Sequence, residues 1–236
     1  LVRRYFEEIP SGGSIPPVVG LTGPSGEGQT VAEETYLLLE DRVELPRLYL
    51  AWRTPRLYAA GDAEMDVLAD VLAGGKTSRL YRTLVYDRRI ATDVSAAQGS
   101  RELAGWFCIS ATAAAGHELV ELEQVIVDEL EGLAERGPDV REIERSLAQV
   151  EAQFVYRLQT VGGFNGRSDQ LNAYNVFTGN PGFMDQDRLR YREISAGHMQ
   201  ELVSTQLNSS GRVALSIVPE GAASLALAGS APAEVA

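Results

Sequence analysis

Apolar residues recur along this chain at two different spacings, which divide it into blocks. From Val31 to Glu40 and from Leu45 to Arg53 the period is two, with Leu48, Leu50 and Trp52 alternating with Arg47, Tyr49 and Ala51, so two strands are expected. Pro55 to Gly61 closes them. Asp62 is placed to cap a helix whose face is Met65, Leu68, Val71 and Leu72, and Gly74 and Gly75 end that helix. Thr77 or Ser78 caps a short amphipathic helix with Leu80, Leu84 and Val85 on one side and Arg79, Arg82 and Thr83 elsewhere. Strands near Thr92 to Ala97 and Trp106 to Ala113 follow, with a turn around Gly99 and Ser100.

The second half is mainly helical. His117 to Arg136 carries Leu119, Leu122, Val125, Ile126, Leu130 and Leu133 at helical spacing, and Gly137-Pro138 stops it. Asp139 starts another long helix with Val140, Ile143, Leu147, Val150 and Phe154 as the expected buried stripe, interrupted at Gly162-Gly163. Helices are expected over 167–178, 184–192 and 196–207, the last capped by Ser195, and Arg212 to Val218 alternates as a closing strand. The order ββααββ, then helices, then β implies an α+β fold: a largely antiparallel sheet with helices on one face.

The ends read differently. Residues 1–9 look like the tail of a preceding helix, and 10–30, with four Pro and six Gly, like a linker. The main domain is expected over 31–219, and the Ala/Gly-rich stretch 220–236 as a tail or a further linker. The chain opens Leu-Val-Arg-Arg without an initiator Met, which reads as a piece of a longer protein whose targeting signal lies elsewhere, so the sequence leaves the compartment unassigned.

Composition narrows the chemistry. The 236 residues are 44% hydrophobic and 23% charged, as in soluble globular proteins, and no apolar run approaches a membrane span. A net charge of −12 argues against nucleic acid as a partner. Cys108 is the single cysteine, which excludes an internal disulfide and a thiolate metal cluster. His117 and Glu121 lie one helical turn apart, as zinc ligands do, but the second is not His and no third ligand is near. Glu118, Glu121 and Glu123 read more simply as an acidic first turn and solvent face. His198 reads as a surface-helix residue. There is no nucleophile elbow and no phosphate loop, and the paired carboxylates all fall on expected exposed helix faces. From residue chemistry alone, no catalytic centre and no metal site can be assembled.

Several motifs, in order, supply a reason. A helix ending Tyr5-Phe6-x-x-Ile9-Pro10, a Pro/Gly linker, a hairpin bearing Trp52-Arg53-Thr54-Pro55, and Gly74-Gly75-x-x-Ser78-Arg79-Leu80 resemble the second, non-zinc domain of the pitrilysin/insulinase zinc peptidases, of the bacterial processing-peptidase-like type. The resemblance covers nearly the whole chain. It implies a zinc metalloendopeptidase acting on peptides, with zinc bound by an inverted His-x-x-Glu-His motif in an absent N-terminal domain and no cofactor on this chain. It further implies that this domain forms chamber wall and domain interface. Its partners would be the missing N-terminal domain, a second subunit or tandem repeat closing the chamber, and the peptide substrate. Active relatives hold the substrate with an Arg and a Tyr seven residues apart, and the matching positions here are Val85 and Thr92, which supply neither guanidinium nor phenol. No catalytic residue is therefore expected on this chain, and the substrate-binding residues stay unassigned. Arg167 and Tyr174 share that spacing, but in a different element. The alternative is a family member that has lost catalysis and serves assembly or peptide binding.

Overall fold

The structure is a computed structural model that describes residues 2–10, 12–13, 33–162 and 164–234. The chain falls into two compact units, 1–30 and 31–236. In the first, helix α1 (Val2–Phe6) is a little over one turn long; Tyr5 and Phe6 on it and Ile9 after it are exposed. Most of the proline/glycine stretch expected over 10–30 lies outside the described residues.

In the second unit, β1 (Thr35–Asp41), β2 (Arg47–Thr54), β3 (Ala91–Ser100), β4 (Gly105–Ala113), β5 (Val213–Pro219) and the two-residue β6 (Ala231–Pro232) form one sheet in the order β3-β4-β2-β5-β1-β6. The pairs β3/β4, β2/β4 and β2/β5 are antiparallel, whereas β1 runs parallel to both β5 and β6. The expected α+β class therefore holds, with one correction: β1 and β2 are not a hairpin. The closing strand β5 inserts between them, pairing Leu215 with Leu37 on one side and Tyr49 on the other. The physical reason is that β5 is apolar on both faces and is better satisfied as an inner strand than at an edge. The alanine- and glycine-rich end, expected as a tail, returns to the sheet. Leu227 is buried, its N–H donates to Ser216 Oγ at 3.1 Å, and β6 flanks β1.

Alternation along each strand sends Leu48, Leu50 and Trp52, with Phe107, Ile109 and Ala111, into the core on one side. There they meet α2 (Asp62–Ala73) and α3 (Leu119–Arg136). Helix α2 is central, packed between the sheet and the outer helices α4 (Val140–Gln159), α6 (Met184–Arg192) and α7 (Ala196–Gln206), so Met65, Val67, Leu68, Val71 and Leu72 are all buried. Helix α5 (Arg167–Thr178) packs on α4. Among the expected stripe of α4 only Ile143 is fully buried; Val140 is exposed, and Ser146 is buried instead. The helix presents a polar side to α2, where the Ser146 hydroxyl donates to Asp70 Oδ2.

Candidate functional site

The glycine break after α2 builds a rigid corner. Gly75 takes φ +106°, a left-handed conformation that only glycine adopts without strain. The neighbouring Ser78, fully buried, donates its hydroxyl to Gly75 O at 2.6 Å. It thus fastens the turn and is not the amide-accepting cap expected of it. Arg79 forks onto Glu142, with Nε donating to Oε1 at 2.8 Å and Nη2 to Oε2 at 2.7 Å, and Glu129 stands 3.8 Å away. Leu80 and Leu84 enter the core, and Val85 packs against it, half-buried. The chain continues as a π-helix (Tyr81–Asp87), closed by Arg88 N–H donating to Thr83 O. Thr92, at the start of β3, is exposed, and its Oγ1 donates to Thr112 O at 3.4 Å beside an irregularity in the β3/β4 ladder. At both positions the side chains are small and neutral.

The face of the sheet away from the helices is open. It carries Leu37 and Leu39 of β1, Val213, Leu215 and Ile217 of β5, Tyr49 and Ala51 of β2, and Cys108 of β4, all only partly covered. Trp106 lies on it with 45% of its surface exposed, its indole spread over Gly99 of β3, where any Cβ would collide with the ring. Arg47 of β2 sits 5.2 Å from the Tyr49 ring and donates to Ser110 Oγ at 3.1 Å. This face thus combines half-buried aliphatic surface with the exposed ring of Trp106 and the polar head of Arg47. Burial pushes the Cys108 thiol up, opposed by Arg47, so Cys108 is held as the neutral thiol and not as a nucleophile.

On the helical side, α2, α4, α5 and α6 converge on a polar cavity of 390 Å³. Asp62, Asp66 and Asp70 recur every four residues along α2 and so share one side of it. Asp62 does not cap its helix as expected; Gly61 is the cap, and the buried Asp62 Oδ2 accepts from Tyr58 N–H at 2.9 Å and from Arg190 Nη1 at 3.2 Å. Tyr174 and Tyr191 donate their hydroxyls to Asp187 at 2.8 Å and Asp66 at 2.6 Å. Burial raises Asp66 to about 6, opposed by the Tyr191 hydrogen bond and reinforced by Asp62. The expectation that paired carboxylates lie on exposed faces fails here. The spacing i, i+4, i+8 was legible, but a charged stripe on an apolar helix reads as the solvent side unless outer helices are known to cover it.

The other residues singled out in the sequence lie outside this cavity or make ordinary structural contacts. His117 Nδ1 lies 3.1 Å from Glu121 Oε2, while Glu121 also accepts from Glu118 N–H in the capping box that opens α3. His198 is in α7, remote in sequence from both. Among the described residues no three His, Cys, Asp or Glu side chains are placed together to hold a metal ion. Arg167 donates to Leu158 O while Tyr174 is buried against Asp187, so the two do not converge. Among the described residues no helix is long and apolar enough to cross a membrane.

Comparison with known proteins adds context. Residues 1–150 match the sequence family described as the peptidase M16 inactive domain. No curated protein matches the chain. A protease from Helicobacter pylori superposes with a TM-score of 0.76 at 16% identity, over 92% of this chain and 50% of that one. A peptidase M16 inactive domain structure from Pseudomonas fluorescens gives 0.66 at 17% identity, over 79% and 44%. The inactive peptidase domain of a protein named as a zinc protease from Bordetella parapertussis gives 0.63 at 20% identity, over 77% of this chain and 94% of that one. The chain thus spans about half the length of the first two and nearly all of the third.

Proposed function

Since this chain belongs to the family of M16 peptidase inactive domains, we propose that it is the non-zinc domain of a zinc metalloendopeptidase acting on peptides. In this reading the zinc site lies in an N-terminal domain. The open sheet face forms chamber wall and domain interface, and no residue of this chain takes part in bond cleavage. The observation that carries the reading is the pairing of Val85 and Thr92, which offer no positive charge and no phenol to a developing oxyanion, with a partly uncovered apolar sheet face suited to extended peptide. Its other partners are a second subunit or tandem repeat supplying the substrate-gripping Arg and Tyr.

The test is peptide hydrolysis and metal content, measured on this chain and on its parent. The chain alone is expected neither to cleave a quenched fluorescent peptide nor to bind zinc at one equivalent. The parent is expected to bind one zinc and to cleave in the presence of its Arg/Tyr-bearing half. Stoichiometric zinc on this chain, or cleavage by it, overturns the proposal. A parent without zinc moves the assignment to assembly or peptide binding without catalysis.

A further inference from the structure

The helices of the second unit are not all held in the same way. Helices α2 and α3 each bury a row of aliphatic side chains, whereas α5 and α6 bury one side chain apiece, Tyr174 and Asp187. Those two bond to each other, the Tyr174 hydroxyl donating to Asp187 Oδ2 at 2.8 Å. What fastens this pair of helices to α2 is polar. Tyr191 of α6 donates to Asp66 at 2.6 Å, and Arg190 reaches Asp62 at 3.2 Å while pairing with Asp187 at 3.2 Å. Ring contacts complete the attachment: Tyr58, just before α2, lies 5.8 Å from the Tyr174 ring and 5.4 Å from that of Phe183, and Tyr191 lies 5.8 Å from Phe154 of α4. Between these contacts is the 390 Å³ cavity, where α2 and α3 have packed core. Elements with little buried apolar surface open locally while the rest of a fold stays intact.

The same junction is electrically unbalanced. Asp62 and Asp187 share the guanidinium of Arg190, and both add their negative charge to the surroundings of Asp66. Burial raises Asp66 to about 6, with Asp62 and Asp187 pushing the same way and Tyr191 and Arg190 opposing. Burial likewise raises Asp187. The other groups that face Asp66 are Tyr58 ahead of α2, Asp70 on α2, Arg157 on α4 and Asp169 on α5. Opening returns Asp66 to water and to its ordinary 3.8, so the closed junction binds the proton more tightly than the open one.

We propose that α5 and α6 form a flap that opens from α2 as one unit, and that the charge on Asp66 sets how readily it opens. With Asp66 protonated, two carboxylates crowd Arg190; once Asp66 ionises there are three, and closure costs more. Opening uncovers the buried Asp62 and Tyr174 and the cavity between them. The flap does not depend on the peptidase reading. Its closure is favoured fully below about pH 4 and loses that support as pH rises through 6, so opening should become about tenfold more favourable between pH 5 and pH 7.5.

The test is amide hydrogen exchange, read by mass spectrometry on the 236-residue chain at pH 5, 6 and 7.5, with each rate divided by the intrinsic rate of the unstructured peptide at that pH. Protection of α5 and α6 relative to β2 and β4 is expected to fall about tenfold from pH 5 to pH 7.5, in both helices together. Asp66→Asn keeps the size of the side chain and an acceptor for Tyr191, and should lose most of that fall. Asp169→Asn, at the exposed mouth of the cavity, should keep it. The proposal is overturned by relative protection that stays constant over this range, by the same fall in Asp66→Asn as in the unaltered chain, or by α5 losing protection while α6 does not.

Discussion

Arg79 and Glu142, 63 positions apart, meet in a two-pronged ion pair that joins the corner after α2 to the first turn of α4. Glu142 has a second duty: its Oε2 also accepts from Asp139 N–H at 2.8 Å, while the Asp139 side chain accepts from Arg141 N–H, so the capping box and the ion pair share one carboxylate. Burial works against the charge on Glu142, but Arg79 and the Asp139 amide together hold its carboxyl below the ordinary range.

Removing the fork is expected to loosen two elements together. Arg79→Ala should cost about 1–2 kcal/mol, reduced from a fully buried pair because both side chains keep some solvent, and lower Tm by roughly 2–6 °C. Arg79→Lys should recover less than half, since an ammonium cannot match both carboxylate oxygens. The contribution is present above the ordinary carboxyl pKa and is lost as pH falls through the lowered value in the folded state. The gap between parent and Arg79→Ala in urea melts should therefore narrow below about pH 4. An undiminished gap at pH 3 would show that the Arg79 stem, not its charge, does the stabilising.

Asp66 gives the opposite pH dependence. Its folded value of about 6 exceeds the reference of 3.8, so the folded chain binds the proton more tightly than the unfolded one. Its favourable contribution is complete below about pH 4 and is lost as pH rises through 6, at most about 3 kcal/mol in all. Asp66→Asn should accordingly be more stable than the parent at pH 7.5 and no more stable at pH 4, by chemical denaturation. Tyr191→Phe removes the hydrogen bond that favours the carboxylate, so a carboxyl NMR titration should find Asp66 displaced upward from its value in the parent.

Much of this fold could be read from residue spacing. Leu48, Leu50 and Trp52 gave the inward face of β2, and the glycine break that ends α2 was legible from Gly74 and Gly75 themselves, whereas Arg79's partner lies 63 positions away and was not. Two further things were not legible, for the same reason. The insertion of β5 between β1 and β2 depends on pairing over more than 160 positions, which period-two alternation cannot rank. The burial of Asp62 and Asp187, and the partial covering of Asp66, depend on which outer helices cover α2. An apolar helix with an aspartate stripe has the same pattern whether that stripe meets water or another helix's polar side, and the polar side of α4, with Ser146 buried where an aliphatic residue was expected, was itself unread. Val85 falls in the π-helix and Thr92 at the start of β3, positions to which periodicity assigns no role.

Gly99 reports on the open face. The Trp106 indole occupies the space above it, so Gly99→Val forces the ring off the strand and exposes it further. A stability loss of about 1–3 kcal/mol is expected, with a red shift of tryptophan emission, since Trp52, the other tryptophan, is buried. If emission does not change, the indole is not held by this contact.

Charge placed on the open face separates peptide contact from folding. Leu215 of β5 is partly uncovered, with Leu37 and Tyr49 beside it across the ladders and the core on the opposite side of the strand. Leu215→Glu in this chain should therefore cost about 1–2 kcal/mol, less than the 2–5 kcal/mol that Leu72→Ala in the core should cost. In the parent protein the order should invert for function. Leu215→Glu places a carboxylate on the proposed chamber wall and should raise KM for an apolar peptide, or detach the neighbouring domain in sedimentation. Leu72→Ala should leave KM unchanged at temperatures where the protein stays folded. Equal KM values for Leu215→Glu and the unaltered parent, with the assembly intact, would remove this face from the chamber.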